Sequence, residues 1–256
     1  MRCLLFTSAG KNAIIDKYWI NKERKYDIFL CYYGDETNKP LLPFVDYYAE
    51  RKGSKFQNFH YFWTNTKQTD INIIQNDVNK PEFNIKSYDY YYIVDDDIII
   101  STKSINNLFK IINDYNLYII QPGFVNKKSR ISHSITRSIP NTFLRYTNFI
   151  ENNTPIFSKY AIEKCMEIYD PVLVGYGIDY LFIWHLGKDQ ERKYAIVDAI
   201  KCINPFFEVR EIDVLQPFND RIKNWETIME KHNIKVWQHK NFKIVPINIM
   251  NRIYLP

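Results

Sequence analysis

Long apolar runs are missing from this sequence. No stretch approaches the roughly 18–20 apolar residues that a bilayer-crossing helix needs. The opening Met1-Arg2-Cys3-Leu4-Leu5-Phe6-Thr7 is too short in its apolar part for a secretory signal, and Lys11 follows closely. It reads better as a first strand. Cysteine is sparse and scattered, at positions 3, 31, 165 and 202, with no Cys-x-x-Cys pair. That argues against a disulfide framework and for buried thiols in a reducing, cytoplasmic setting. Only seven glycines occur. The loop Ser8-Ala9-Gly10-Lys11-Asn12 lacks the earlier glycine of a Walker-type phosphate loop, and Asn12 stands where Ser or Thr would meet Mg²⁺. The five histidines form no His-Glu-x-x-His pair, and no Gly-x-Ser-x-Gly elbow is present. The net charge of +5 reads as dispersed, so no nucleic-acid partner is expected, although peripheral membrane contact stays open.

What is present is a core. Hydrophobic residues make up 46% of the 256 positions, enough for one large domain. Strand-like and helix-like segments alternate: strands at Cys3–Thr7, Tyr26–Tyr33, His60–Thr64, Tyr88–Val94 and Leu117–Gln121, and helices at Pro43–Arg51, Asp70–Val78 and Lys103–Asn116, the last capped by Ser101. Aromatic strands Thr142–Ile150 and Thr154–Phe157 follow. Then come a helix capped by Ser158, a helix Ile178–Leu186, a strand Tyr194–Ile200 and a charged helix from Phe218 to His232. The alternation predicts an α/β fold with a mixed, mostly parallel sheet flanked by helices. Residues 1–210 read as the main domain, and 211–256 as a helical extension packed on it and ending in a tail.

Asp95-Asp96-Asp97 follow the apolar run Tyr90–Val94 and precede Ile98-Ile99-Ile100. Three like charges between apolar stretches are costly unless a cation neutralises them. A solvated turn would recruit Gly, Asn or Pro, and none is here. Hard Mn²⁺ or Mg²⁺ takes carboxylate oxygens and shares its other sites with phosphates. Ligands of parallel α/β sheets gather at strand carboxyl ends. Ser8-Ala9-Gly10, Gly34-Asp35-Glu36 and the aspartates are all expected there. Gly175-Tyr176-Gly177-Ile178-Asp179 uses two of the seven glycines. It puts Asp179 at a helix start, where a carboxylate favours the dipole and could deprotonate a hydroxyl, with Tyr176 as a stacking platform. Arg137 is a candidate clamp for a diphosphate, or a surface ion-pair partner.

Together Tyr91–Asp97, Gln121-Pro122, Thr136-Arg137, Phe149-Ile150-Glu151 with Pro155–Ser158, Gly175–Asp179 and Val197-Asp198 resemble, in order and spacing over about residues 1–205, an uncharacterised family of plant and bacterial putative glycosyltransferases. That family looks like the GT-A superfamily of nucleotide-sugar transferases. The resemblance implies that Asp95 and Asp97 hold Mn²⁺ or Mg²⁺ against a donor diphosphate and that Asp179 is the base of an inverting reaction. The family's late metal-binding His is replaced here, leaving Asn204 as a weaker oxygen ligand or Lys201 as a partial substitute for the metal's charge.

The expected activity is therefore sugar transfer from a UDP- or GDP-sugar to a glycan, lipid-linked or protein acceptor in surface glycan or glycoconjugate synthesis. The base and ribose would lie near Ser8, Ala9, Gly10 and Asp35, with Asp96 close by. Two alternatives are a sugar-1-phosphate nucleotidyltransferase, which would need a richer Gly and Lys/Arg loop after the first strand, and a non-catalytic glycan-binding module on a degenerate transferase fold.

Overall fold

The computed structural model describes residues 1–39, 41–65, 72–77, 80–125, 129–206 and 211–256. Its centre is β1 (Cys3–Ala9), buried along its whole length. Leu4 and Phe6 point to one face, Cys3 and Leu5 to the other, as the period of two demands. A strand covered on both faces has no need of polar alternation, so its sequence is a nearly continuous apolar run. β1 pairs in parallel with β2 (Asp27–Tyr32) and β5 (Tyr90–Ile93), and β2 in parallel with β3 (Tyr47–Glu50). The short β4 (Ile74–Gln75) closes that edge antiparallel to β3.

The second half of the sheet is mixed. β6 (Ile119–Phe124) and β9 (Tyr194–Cys202) are parallel, while β7 (Thr142–Thr147) runs antiparallel to β9. β8 (Ile156–Ser158) lies antiparallel between β5 and β6 and joins the two halves. β10 (Asn241–Pro246) adds an antiparallel edge to β7. The order among the described residues is β10-β7-β9-β6-β8-β5-β1-β2-β3-β4.

Helices cover both faces. The amphipathic α3 (Thr102–Asp114), after the short α1 (Ile15–Tyr18) and α2 (Lys55–Thr64), packs Ile105, Leu108, Phe109, Ile111 and Ile112 on one side. On the other side lie α2, α4 (Lys159–Ile168), α5 (Ile178–Leu186) and, after the short α6 (Glu211–Leu215), α7 (Phe218–His232). Ser101 and Ser158 cap α3 and α4 as expected, accepting from Ser104 N and Ala161 N. Gly177 has φ +83° and starts α5, and a Cβ there would lie 2.2 Å from the Trp225 ring of α7. Both the backbone conformation and the packing require glycine at that position.

Four expectations change. Pro43–Arg51 is a short 3-10 turn, Leu42–Phe44, followed by β3, because Tyr47 and Tyr48 are buried between strands. His60–Thr64 belongs to α2: Ser54 and Gln57 form a capping box, and Phe56, Phe59, Phe62 and Trp63 recur at helical spacing on the core side. The expected helix Asp70–Val78 lies partly outside the described residues, and its described part holds β4. The last residues are not a tail: β10 belongs to the sheet.

Candidate functional site

The parallel register brings the ends of β1, β2 and β5 to one edge. There the acidic trio is partly buried, and its three members are engaged differently. Asp96 accepts from Gly10 N at 3.0 Å. Burial pushes its carboxyl up to about 7; the Gly10 N–H opposes this and the charge of Asp95 adds to it. Asp97 is likewise pushed to about 7, by burial and then by Asp95 and Asp96. Its Oδ1 is buried without a hydrogen-bond partner. Asp95 pairs at 2.7 Å with Lys55 Nζ. Lys55 is the first residue of α2 and is itself buried, and its ammonium also donates to the Asn153 carbonyl at 2.8 Å.

Ser8, Ala9 and Gly10 are buried beneath this edge. The Ser8 hydroxyl accepts from Asn58 of α2 at 2.8 Å. Asp35 is 93% exposed and pairs with Lys52 at 2.6 Å, so it stands out from the buried loop beside it.

The Asn153 carbonyl also accepts from Asp95 N at 3.0 Å, and its side-chain amide donates to Glu151 Oε1 at 3.0 Å. Through this residue the trio adjoins a second buried cluster. Glu151, held by Gln121 and Thr136, lies 3.9 Å from His133 Nδ1, within ion-pair range but beyond a hydrogen bond. Burial pulls the His133 imidazole down, but Glu151 and Asp179 outweigh it and the net shift is upward. Asp179, in the first turn of α5, is buried and accepts from Tyr180 N at 3.0 Å. Burial raises its carboxyl to about 6, His133 opposes the rise, and Glu151 adds to it. The Phe149 ring stacks on His239 at 3.9 Å, and Tyr180 bonds His239 at 2.8 Å, which closes the cluster from the β10 side.

The other candidates lie apart from these contacts. Tyr176 is 45% exposed and meets Phe218 edge-on at 5.8 Å. The Arg137 side chain is exposed, and its carbonyl accepts from Arg145 at 2.8 Å. The Asn204 amide donates to the Arg130 carbonyl at 3.3 Å. The cation beside the trio is Lys55, whereas Lys201 is exposed on β9. Lys55, Glu151 and His133 were not singled out as site residues from the sequence. Ser54-x-x-Gln57 is the one local signal that fixes the start of α2, and hence Lys55.

The donor set bears on a metal. All-oxygen carboxylates suit a hard cation, and the orphaned Asp97 oxygen and the raised Asp96 and Asp97 fit one. Among the described residues no group of three or more His, Cys, Asp and Glu is gathered as ligands. A cation at Asp97 and Asp95 would therefore complete its shell from a bound ligand and water.

No protein-family model matches the chain, and a search of curated proteins finds no match. Solved structures do match. S. aureus TarS 1–349 in complex with UDP-GlcNAc superposes with a TM-score of 0.55 at 10% identity, over 93% of this chain and 68% of that one. GalNAc-T7 with UDP, GalNAc and Mn²⁺ gives 0.55 at 9% identity, over 90% of this chain and 48% of that one. A mycobacterial protein gives 0.52 at 10% identity, over 88% and 75%. Against the longer TarS chain the match spans 42% of its length. The chain thus has the α/β fold of GT-A-type glycosyltransferases.

Proposed function

We propose that this protein is a glycosyltransferase that moves a sugar from a UDP- or GDP-sugar to an acceptor hydroxyl with inversion, the acceptor being a glycan, lipid-linked or protein substrate. The observation that carries the reading is the junction at Asn153. On a GT-A-type sheet it joins an acidic trio at the strand ends to Glu151, whose charge acts on the buried Asp179. Two of the matched folds carry UDP or UDP-GlcNAc, which supports a nucleotide-sugar donor.

The donor diphosphate sits beside Asp95–Asp97, over the buried Ser8–Gly10 loop. Mn²⁺ or Mg²⁺ held by Asp97 and Asp95 would offset the charge of the departing diphosphate. Lys55 neutralises one of the three carboxylates and fixes Asp95 against α2. The acceptor enters beside Tyr176. Its oxygen attacks the anomeric carbon as the bond to the diphosphate breaks, the bonding pair leaves with the diphosphate, and the hydroxyl proton passes to Asp179. A carboxyl near 6 is ionised at neutral pH and is a stronger base than an ordinary aspartate. Calorimetric titration with UDP, GDP and their sugars, with and without Mn²⁺, tests the reading. One nucleotide is expected to bind, and silence from all of them would remove it. Pyrophosphate release from an NTP and a sugar phosphate would point instead to nucleotidyl transfer.

Asp97→Asn is expected to abolish transfer yet raise the melting temperature at pH 8. A carboxyl whose folded pKa lies above its unfolded value destabilises the fold as pH rises through that interval, and the cost is full above about 7. Relief should show as roughly 2–4 °C per kcal/mol. A variant that melts lower at that pH would contradict the charge strain assigned to Asp97.

The acid limb of kcat against pH is expected near 6, the value for Asp179. His133→Gln removes a charge that lowers the Asp179 pKa, so the limb moves to higher pH. Glu151→Gln removes one that raises it, so the limb moves to lower pH. Shifts in the same direction for both variants would detach the limb from Asp179.

A further inference from the structure

The net charge of the chain is not dispersed. Residues 231–256 contain Lys231, Lys235, Lys240, Lys243 and Arg252 and no acidic residue. The whole chain has 34 Lys and Arg against 29 Asp and Glu, so the first 230 residues balance at 29 of each and this segment holds the entire excess of +5. The same segment carries the most exposed large apolar side chains among the described residues, Ile249 at 85% and Met250 at 86%, with Ile253, Val236 and Ile244 also exposed.

These residues are held out by construction. Asn248 and Asn251 clasp each other across the turn: Asn248 N donates to Asn251 Oδ1 at 2.8 Å, and Asn251 N to Asn248 Oδ1 at 3.1 Å. The Asn251 amide donates to the Pro246 carbonyl at 2.9 Å, which ties the turn to the end of β10. Beyond it Tyr254 is buried, its hydroxyl on Asp114 at 2.7 Å and its ring against Phe143. Ile249 and Met250 thus stand at the tip of a turn anchored on both sides. Such exposure of consecutive apolar side chains usually marks an interaction surface. Lys243 and Arg252 flank the tip and are exposed. Lys240 lies 3.8 Å from Asp189, the one acidic ion-pair partner of these five basic side chains among the described residues, and Lys110 of α3 stacks over Tyr254.

We propose that this turn and the adjoining β10 edge form a docking surface for an anionic membrane, with Ile249 and Met250 entering the headgroup region and the basic side chains facing lipid phosphates. A bilayer is chosen over a second protein because the segment's own charges are all basic, with Asp189 and Asp114 the acidic neighbours it touches, and the apolar group is a small projecting tip, the pairing that interfacial anchors use. The proposal stands apart from the transferase reading.

Flotation of the intact protein with vesicles tests it, comparing phosphatidylcholine alone with phosphatidylcholine containing about one-third phosphatidylglycerol. Binding is expected only to the anionic vesicles and should weaken as salt shortens the screening length. Ile249→Ser with Met250→Ser should reduce partitioning at least about tenfold at an unchanged melting temperature. Lys243→Glu with Arg252→Glu should reduce it by a further, salt-sensitive factor, about fivefold for each basic residue lost. Failure of the wild type to float overturns the proposal. So does a serine pair that floats as well as wild type. A dimer seen by light scattering that the serine pair dissociates would assign the surface to a second copy of the chain and overturn it equally.

Discussion

Asp179→Asn is expected to lower kcat by about 10²–10⁴-fold, the usual worth of a positioned general base, while leaving the Kd for the nucleotide nearly unchanged. The substitution keeps the shape of the side chain and its acceptance from Tyr180 N, so α5 still starts at Gly177. What is lost is a buried oxygen able to take a proton. Because burial is the main reason its carboxyl sits near 6, the residue contributes basicity that an exposed aspartate would lack. The same variant should also lose the acid limb near pH 6. Single-turnover rates with calorimetric nucleotide binding separate the two quantities. An unchanged kcat would remove Asp179 as base, whereas loss of nucleotide binding alone would place it on the donor side.

Arg145→Leu is expected to cost about 3–5 kcal/mol of stability, the range for stranding one member of a buried ion pair. Arg145 and Asp198 are both almost wholly buried and bond twice, at 2.7 and 3.1 Å. The same guanidinium donates to the Arg137 carbonyl and to Asn241 of β10, and Asp198 accepts from Ile139 N at 2.8 Å. The pair therefore holds β7, β9, β10 and the 137–139 segment together. Thermal unfolding should shift downward by on the order of 10 °C. Adding Asp198→Leu should restore much of the loss, since two apolar side chains replace two charges, though Ile139 N then lacks its acceptor. A double variant no more stable than the single would show that the pair's worth lies in its contacts with neighbouring segments rather than in charge neutralisation.

The sequence is most legible where the signal is local. Asp95–Asp97 and Gly175–Asp179 stand out because charge and glycine are costly in apolar surroundings, and both lie where strand ends and a helix start were expected. The serine caps of α3 and α4 are local for the same reason. Legibility fails where composition and periodicity disagree. His60–Thr64 looks like a strand by its aromatics, yet Phe56, Phe59, Phe62 and Trp63 keep a helical spacing against β1. Tyr47 and Tyr48 fall within the helix expected over Pro43–Arg51, yet both are buried between strands. The partners of the aspartates were hidden for another reason. Lys55 lies forty residues before Asp95, and Glu151 lies nearly thirty before Asp179. Only the sheet order, with β8 slotted between β5 and β6, brings 151–153 between them. The Ser54-x-x-Gln57 capping box marks where α2 begins, but nothing local shows that its first residue, Lys55, meets Asp95.

Asn153 has a consequence of its own. One peptide carbonyl receives both the ammonium of Lys55 and the amide of Asp95, while the side chain of the same residue steadies Glu151. The acidic trio and the Glu151 cluster therefore share a single joint. A displacement of the Asp95 backbone is thus passed, through one residue, to the carboxylate of Glu151.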